Sequence, residues 1–511
     1  MMRLYYFDEP LLEFHHRQAV EDPRDGLSLS GPLAKGKVYG IRAGVIGTED
    51  GVRRFKTWLS RITRPVYSAK NAAETLFRPI FPGFQTVFGV PWDPEPQMVV
   101  TLPTDGADGL SSVLYLGDRH QRVYKTVDLF ADKITHASRQ EEETVDVWFV
   151  IVPDAVYKYC RPLSVVERRL RVNDDPGISI TDARRLAKQP SLFPAVNDAA
   201  VPFSYEPDFH NQLKARLLLR AAPLQIIQES TLTPEQFLTT DGRPLRRIDA
   251  PSTVAWNIST TAFYKAGGRP WKLHHVRRGV CYLGLVFKRD DRSGDASNAC
   301  CAAQMFLDSG DGVVFKGAVG PWYSPDHREF HLNRESAHEV VSLAVETYRQ
   351  KNYARKPPTE LFIHGRVRFN EEEWEGFKSA VGEETNLVGV RIMRGTHLKL
   401  YSPGDYPVLR GTAYVANERE AYLWTVGFVP RLQTYLGKEV PNPLLIEVCK
   451  GKADILRVIK DVLSLTKLNY NACIFADGEP VTLKFADAVG EILTAAPISK
   501  DTPPLPFKFY I

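Results

Sequence analysis

The order of short apolar runs and amphipathic stretches constrains this chain more than any single residue does. Val38 to Gly47 (VYGIRAGVIG) reads as a buried strand, Glu49 to Ile62 as the amphipathic helix behind it, and Val145 to Val152 (VDVWFVIV), closed by Pro153, as a second strand. Strand, helix and strand in that order predict an open α/β sheet. The loops between are rich in Pro, Gly and Asp, as in 91–96 (PWDPEP) and 104–109 (TDGADG), and the stretch 172–208 reads as a loop-rich insertion.

The second half follows a different order. Val280 to Phe287 (VCYLGLVF) is an almost wholly apolar strand, and residues 302–307 and 312–319 flank Asp308-Ser309-Gly310-Asp311, a hairpin signal. A helix from Ser336 to Gln350 follows, then a strand at Leu361-Phe362-Ile363, a helix over Glu371 to Ala380 and a strand at Val388 to Met393. Three strands, helix, strand, helix, strand is the order of the ribonuclease H fold. A hairpin over 411–429, a helix from Ala453 to Thr466 and a last helix near Leu483 to Leu493 complete the chain.

At 511 residues there is room for about two to four domains. The net charge of +4 is mild but uneven: Arg161, Arg168, Arg169 and Arg171 cluster, as do Arg243, Arg246 and Arg247, and Arg269, Lys272, Arg277 and Arg278. Such clusters fit a polyanionic ligand, and equally a solvated face. The six cysteines form no CxxC pair, so neither a zinc site nor a disulfide framework is expected. The start lacks the apolar core of a signal peptide, and no run approaches the ~18 apolar residues of a membrane span. The expectation is a cytoplasmic protein.

Between Phe209 and Trp271 lie four polar residues that read together as a phosphate clamp. His210 and Lys214 stand four apart on a predicted helix, and so share one face; Asp208 offers that helix an N-cap. Gln225 comes after the helix, and Lys265 ends the stretch Asn257 to Lys265 (NISTTAFYK), a helix that Gly267-Gly268 would stop. The chain ends in an apolar, turn-rich tail, Pro503-Pro504-Leu505-Pro506-Phe507-Lys508-Phe509-Tyr510-Ile511, whose terminal carboxylate could meet the clamp through a metal ion. Tyr157-Lys158-Tyr159, with Arg161 four residues after Tyr157, is a rival site that reads as structural or peripheral.

These residues carry a family resemblance. Phe209-His-Asn-Gln-Leu-Lys-Ala, Pro223-Leu-Gln-Ile-Ile-Gln-Glu-Ser-Thr-Leu232 and Lys265-Ala-Gly-Gly-Arg-Pro-Trp271 resemble the MID domain of prokaryotic Argonautes. Leu465-Thr-Lys-Leu-Asn-Tyr-Asn471 and Leu483-Lys-Phe-Ala-Asp-Ala-Val-Gly490 resemble their PIWI domain. The match spans about 205–511, and the Val38 to Gly47 strand extends it upstream. The chain leaves no room for the N and PAZ domains of long Argonautes, so it resembles a short one. The resemblance implies a Rossmann-like MID domain followed by a ribonuclease H-like PIWI domain. Residues 1–140 would hold an N-terminal segment and the first part of MID, 141–272 the MID core, and 273–511 PIWI. It implies that His210, Lys214, Gln225 and Lys265 bind the 5′-phosphate of a guide strand. A Mg²⁺ ion would be held there by Gln225 and the Ile511 carboxylate, since this hard cation takes oxygen ligands.

Argonautes that cut need several carboxylates converging on two metals. At the first two positions this chain has Val286, in Gly284-Leu285-Val286-Phe287, and Gly365, in Ile363-His364-Gly365-Arg366; Asp487 stands at the last. One carboxylate cannot hold two metals. Asp290, Asp291 and Asp295 read as solvated turn residues and Glu371 to Glu373 as a helix start, while Glu335 could mimic the inserted glutamate of active enzymes and equally suits a helix start. The expectation is therefore a catalytically inactive, guide-binding and target-sensing subunit, with an RNA guide and a single-stranded DNA target. The family implies a partner carrying an APAZ region fused to an effector (TIR, sirtuin-like NAD-consuming, or nuclease) that acts in antiviral defence. A guided endonuclease with non-standard metal ligands is the alternative, and a scaffold independent of nucleic acid is a third reading.

Overall fold

The apolar runs of the first half assemble into a four-stranded, all-parallel sheet, in the spatial order Met98–Leu102, Ala43–Thr48, Val147–Val152, Leu224–Gln228. The computed structural model describes residues 3–68, 76–140, 144–172, 178–289, 299–307, 312–320, 323–324, 329–351, 355–395, 397–435, 437, 439–497 and 505–511. Ala43–Thr48 and Val147–Val152 are buried along their whole length, as their apolar sequence requires. The first strand starts later than Val38, because Gly40 turns the chain at φ 85° and Val38 is exposed. Helix Glu49–Ile62 has the predicted limits. Thr48 caps it by accepting from the Gly51 amide, and Val52, Phe55, Leu59 and Ile62 form its buried face at helical spacing.

The crossover to Val147–Val152 contains a 22-residue helix, Arg119–Gln140, where sequence reading expected short strands and loops. Its Val123, Val127, Phe130 and Ile134 pack on the sheet. The stretch 172–208 likewise contains helices Ile180–Lys188 and Pro194–Ala200.

The second half forms a ten-stranded mixed sheet. At its centre Val280–Arg289 pairs antiparallel with Ala299–Leu307, which pairs with Gly312–Gly320. On its other side Val280–Arg289 runs parallel to Glu360–Gly365, and that strand parallel to Asn386–Arg394. This is the ribonuclease H order, with helices Arg334–Lys351 and Glu371–Ala380 as the crossovers. The hairpin residues Asp308 to Asp311 lie outside the described residues, as do Asp290, Asp291 and Asp295. The predicted last helix is broken at Phe485 into Val481–Lys484 and Ala486–Thr494.

Both ends of the chain join this sheet. Arg3–Tyr6 pairs with Thr412–Val415 at one edge, and Leu505–Pro506 with Val313 and Val314 at the other. The two halves meet at Trp271. Its indole donates to the Lys467 carbonyl at 3.2 Å and its carbonyl accepts from the Tyr470 hydroxyl at 2.9 Å. Beneath this joint Glu9 forms ion pairs with Arg410 and Lys467, each at 2.8 Å. Among the described residues no helix is long and apolar enough to cross a membrane.

Burial alone would raise the Glu9 carboxyl, but the Arg410 and Lys467 cations outweigh it and hold the group below its usual range. Glu9→Ala leaves two buried cations unpaired and is expected to cost about 3–5 kcal/mol, read from the denaturant midpoint. A depressed carboxyl stabilises the fold above its unfolded pKa. The wild-type advantage should therefore shrink as the pH falls through the acid range.

Candidate nucleic-acid interface

Four elements build one polar pocket in an apolar setting. Helix Phe209–Leu217 starts at Asp208, whose side chain accepts from the Asn211 amide at 3.0 Å. Helix Pro251–Lys265 ends in a Schellman motif: Gly267, at φ 99°, donates to the Tyr264 carbonyl and Gly268 to Phe263. A Cβ on Gly268 would sit 2.4 Å from the Phe263 ring, so the second glycine is required by packing. Strand Leu224–Gln228 brings in Gln225, and the C-terminal tail closes the pocket.

The structure brings the four predicted residues together. Lys265 donates to the Leu224 carbonyl and to Gln225 Oε1, both at 2.7 Å. Lys214 donates to the Tyr510 carbonyl at 3.1 Å, which sets Ile511 beside it. Lys214 and Lys265 are 5% and 1% exposed, and among the described residues neither forms an ion pair with a carboxylate. Ile511 is buried as well. The His210 ring is open to solvent yet closely surrounded by protein atoms, with Nδ1 3.1 Å from Asn211 Oδ1.

The electrostatics follow from this burial. Burial pushes the Lys214 ammonium down to about 7. Lys265 falls well below the ordinary lysine value, by burial first and by the Lys214 charge second. Crowding, then the charges of Lys214 and Lys265, hold the His210 imidazole below its usual range. The pocket thus strains to keep its protons, and an anion in contact would relieve that strain.

Sequence reading missed Lys508 as a pocket residue. Its ammonium donates to the Lys265 carbonyl at 3.0 Å and is depressed by burial and by Lys37. The only signal was its place in the tail. Tyr157 lies elsewhere, half-exposed, with the Arg161 guanidinium 3.8 Å from its ring centre, while Tyr159 is buried.

In the second sheet Val286 lies within Val280–Arg289, opposite Ala302. Gly365 ends its strand, and a Cβ there would meet the Phe369 ring at 2.9 Å. Next to it Arg366 reaches Glu479 at 3.3 Å and Asp487 at 3.7 Å. Asp487 opens helix Ala486–Thr494, Glu335 lies in the first turn of Arg334–Lys351, and Glu373 completes a capping box with Asn370. Among the described residues no three His, Cys, Asp or Glu side chains are grouped to hold a metal.

The unfolded chain holds lysine protons more tightly than this pocket does. Without a ligand, stability should therefore rise with pH from about 7 toward the free-lysine range. Thermal melts across that window should show the rise, and Lys214→Met with Lys265→Met should flatten it.

No protein-family model matches the chain, and no curated protein matches it in sequence. Solved structures do. Clostridium butyricum Argonaute bound to a guide DNA and a 19-mer target DNA superposes with a TM-score of 0.63 at 13% identity, covering 100% of this chain and 55% of that one. Drosophila Piwi gives 0.57 at 13% identity over 99% and 56%, and A. aeolicus Argonaute 0.52 at 14% identity over 98% and 53%. The chain spans about half the length of these proteins. Its fold is Argonaute-like.

Proposed function

We propose that the pocket holds the 5′-phosphate of a guide strand and that the chain uses the guide to sense a complementary target. The observation that carries this reading is the pair of buried ammonium groups, Lys214 and Lys265, neither of which forms an ion pair with a carboxylate among the described residues. A buried charge without a counter-charge is costly, and a terminal phosphate supplies two negative charges and several acceptor oxygens. His210 and Gln225 add directed hydrogen bonds. The Clostridium butyricum neighbour, solved with guide and target DNA, supports nucleic acid as the ligand.

Gln225 Oε1 and the Ile511 carboxylate are the oxygen donors available to a Mg²⁺ ion beside the guide phosphates. Gln225 Oε1 already accepts from Lys265, which leaves it one lone pair, so the phosphates would supply most of the coordination. Such an ion, when bound, screens the crowded phosphate oxygens from one another.

The PIWI-like half reads as a binding surface that does not cut. Phe369 crowds the space an aspartate at 365 would need, and the Arg366 guanidinium sits where a divalent cation would be repelled. We favour an RNA guide with a single-stranded DNA target. Signalling would pass to an APAZ-bearing partner whose TIR, sirtuin-like or nuclease domain delivers an antiviral response, NAD depletion in the first two cases.

The test compares a 5′-phosphorylated with a 5′-hydroxyl oligonucleotide, as RNA and as DNA. The phosphate should tighten binding at least about tenfold. Lys214→Glu with Lys265→Glu should erase that difference, while equal affinities in wild type would sink the proposal. Guide-loaded protein mixed with a labelled complementary strand and Mg²⁺ or Mn²⁺ should leave the strand intact. Specific cleavage lost in Asp487→Ala would establish the nuclease reading instead.

A further inference from the structure

One cavity lies away from the clamp and belongs to none of the roles above. It has a volume of about 480 Å³ and is lined by Glu13, Arg17, Lys272, His274 and Arg278, with Leu273 and Val276 as its apolar wall. It forms where the N-terminal segment grips the connector between the two halves. Leu12 and Glu13 pair antiparallel with Leu273 and Lys272, and the His274 amide donates to the Leu11 carbonyl at 2.9 Å.

The charges around it do not balance. Glu13 is shared, with Lys272 and His274 each 3.2 Å from its carboxylate. Arg17 and Arg278 are exposed at the rim, and among the described residues no carboxylate pairs with either. One carboxylate therefore faces three permanent cations.

The backbone adds a second observation. His16 and Arg17 both adopt left-handed φ values, 55° and 58°, in succession. For residues with a Cβ this conformation is disfavoured, and such strain collects at ligand sites. Here the turn is tied off by the Phe14 amide on the Gln18 carbonyl at 2.8 Å, and Arg17 and Arg278 both line the cavity.

We propose that this cavity binds a phosphate-bearing nucleotide unit. Two free guanidinium groups match phosphate oxygens in pairs, which a lysine ammonium cannot do. The volume is in the range that holds a single nucleotide, and the apolar wall can take a base or sugar. The same chemistry can arrive as a free nucleotide or as one unit of a strand. In either case the ligand would tie the N-terminal segment to the connector that leads into the central strand Val280–Arg289.

The test uses the full chain carrying Lys214→Met and Lys265→Met, so that the clamp cannot answer for this site. Calorimetric titration with inorganic pyrophosphate should show saturable binding. Arg17→Ala with Arg278→Ala should weaken it at least about tenfold at an unchanged melting temperature, and Arg17→Lys with Arg278→Lys should restore part of it. Competition by a nucleoside triphosphate identifies a free nucleotide, and competition by a 5′-hydroxyl oligonucleotide alone identifies a strand. No saturable pyrophosphate binding, or binding untouched by the double alanine change, overturns the proposal. Neither result bears on the clamp, whose own test rests on a 5′-phosphate.

Discussion

The hydrogen bond from the Trp271 indole to the Lys467 carbonyl is the joint on which the architecture turns. It sits in the largest core cluster, which runs from the parallel sheet through Trp256 and Trp271 to Ile511. The Lys467 ammonium points the other way, onto Glu9 and over the Phe475 ring at 3.7 Å. Desolvating such charges costs several kcal/mol per ion and is offset only when every partner is in place. N-terminal segment, end of the first half and core of the second must therefore arrive together. The segment that carries Glu9 continues into Leu12 and Glu13, which grip the connector after Trp271.

Given that frame, the clamp needs little machinery of its own. Helix Pro251–Lys265 delivers Lys265 and then, after two glycines, Trp271. The joint thus sets where Lys265 stands. Lys214 is held by the other side of the pocket through the Tyr510 carbonyl, a neutral acceptor that satisfies one proton and leaves the charge. The neutral acceptors Leu224 and Gln225 treat Lys265 in the same way. The pocket is folded around two ammonium groups that form no ion pair with a carboxylate among the described residues.

Much of this was legible in the sequence where local rules and tertiary structure agree. Glu49–Ile62 and Glu371–Ala380 appear with their predicted ends, because a capping side chain, acidic first turn and helical spacing coincide there. The His210–Lys214 spacing was legible because Asp208 caps their helix and four residues bring both to one face. Helix Arg119–Gln140 was missed although Val123, Val127, Phe130 and Ile134 repeat at helical spacing, since the turn-rich loops before it dominate the reading. Three features leave no local trace: the pairing of Arg3–Tyr6 with Thr412–Val415, the reach of Lys508 to the Lys265 carbonyl, and the union of Arg17 with Arg278 at one cavity. Each joins residues hundreds of positions apart, where periodicity carries no information.

The tail gives the two halves a common stake in the clamp. Leu505–Pro506 pairs with strand Gly312–Gly320 as the edge of the second sheet, and Phe507 packs on Phe306 at 5.5 Å and on Phe485 at 5.4 Å. A few residues later Lys508 and Tyr510 enter the clamp of the first half. A tail docked on the second sheet is thus the same tail that completes the pocket. Any anion that needs Lys214 held against Tyr510 binds the docked arrangement better than an undocked one, so its binding strengthens docking by the same factor. Coupling of this kind requires no movement of the sheets. It follows from one short segment that contributes both an edge strand and a pocket wall.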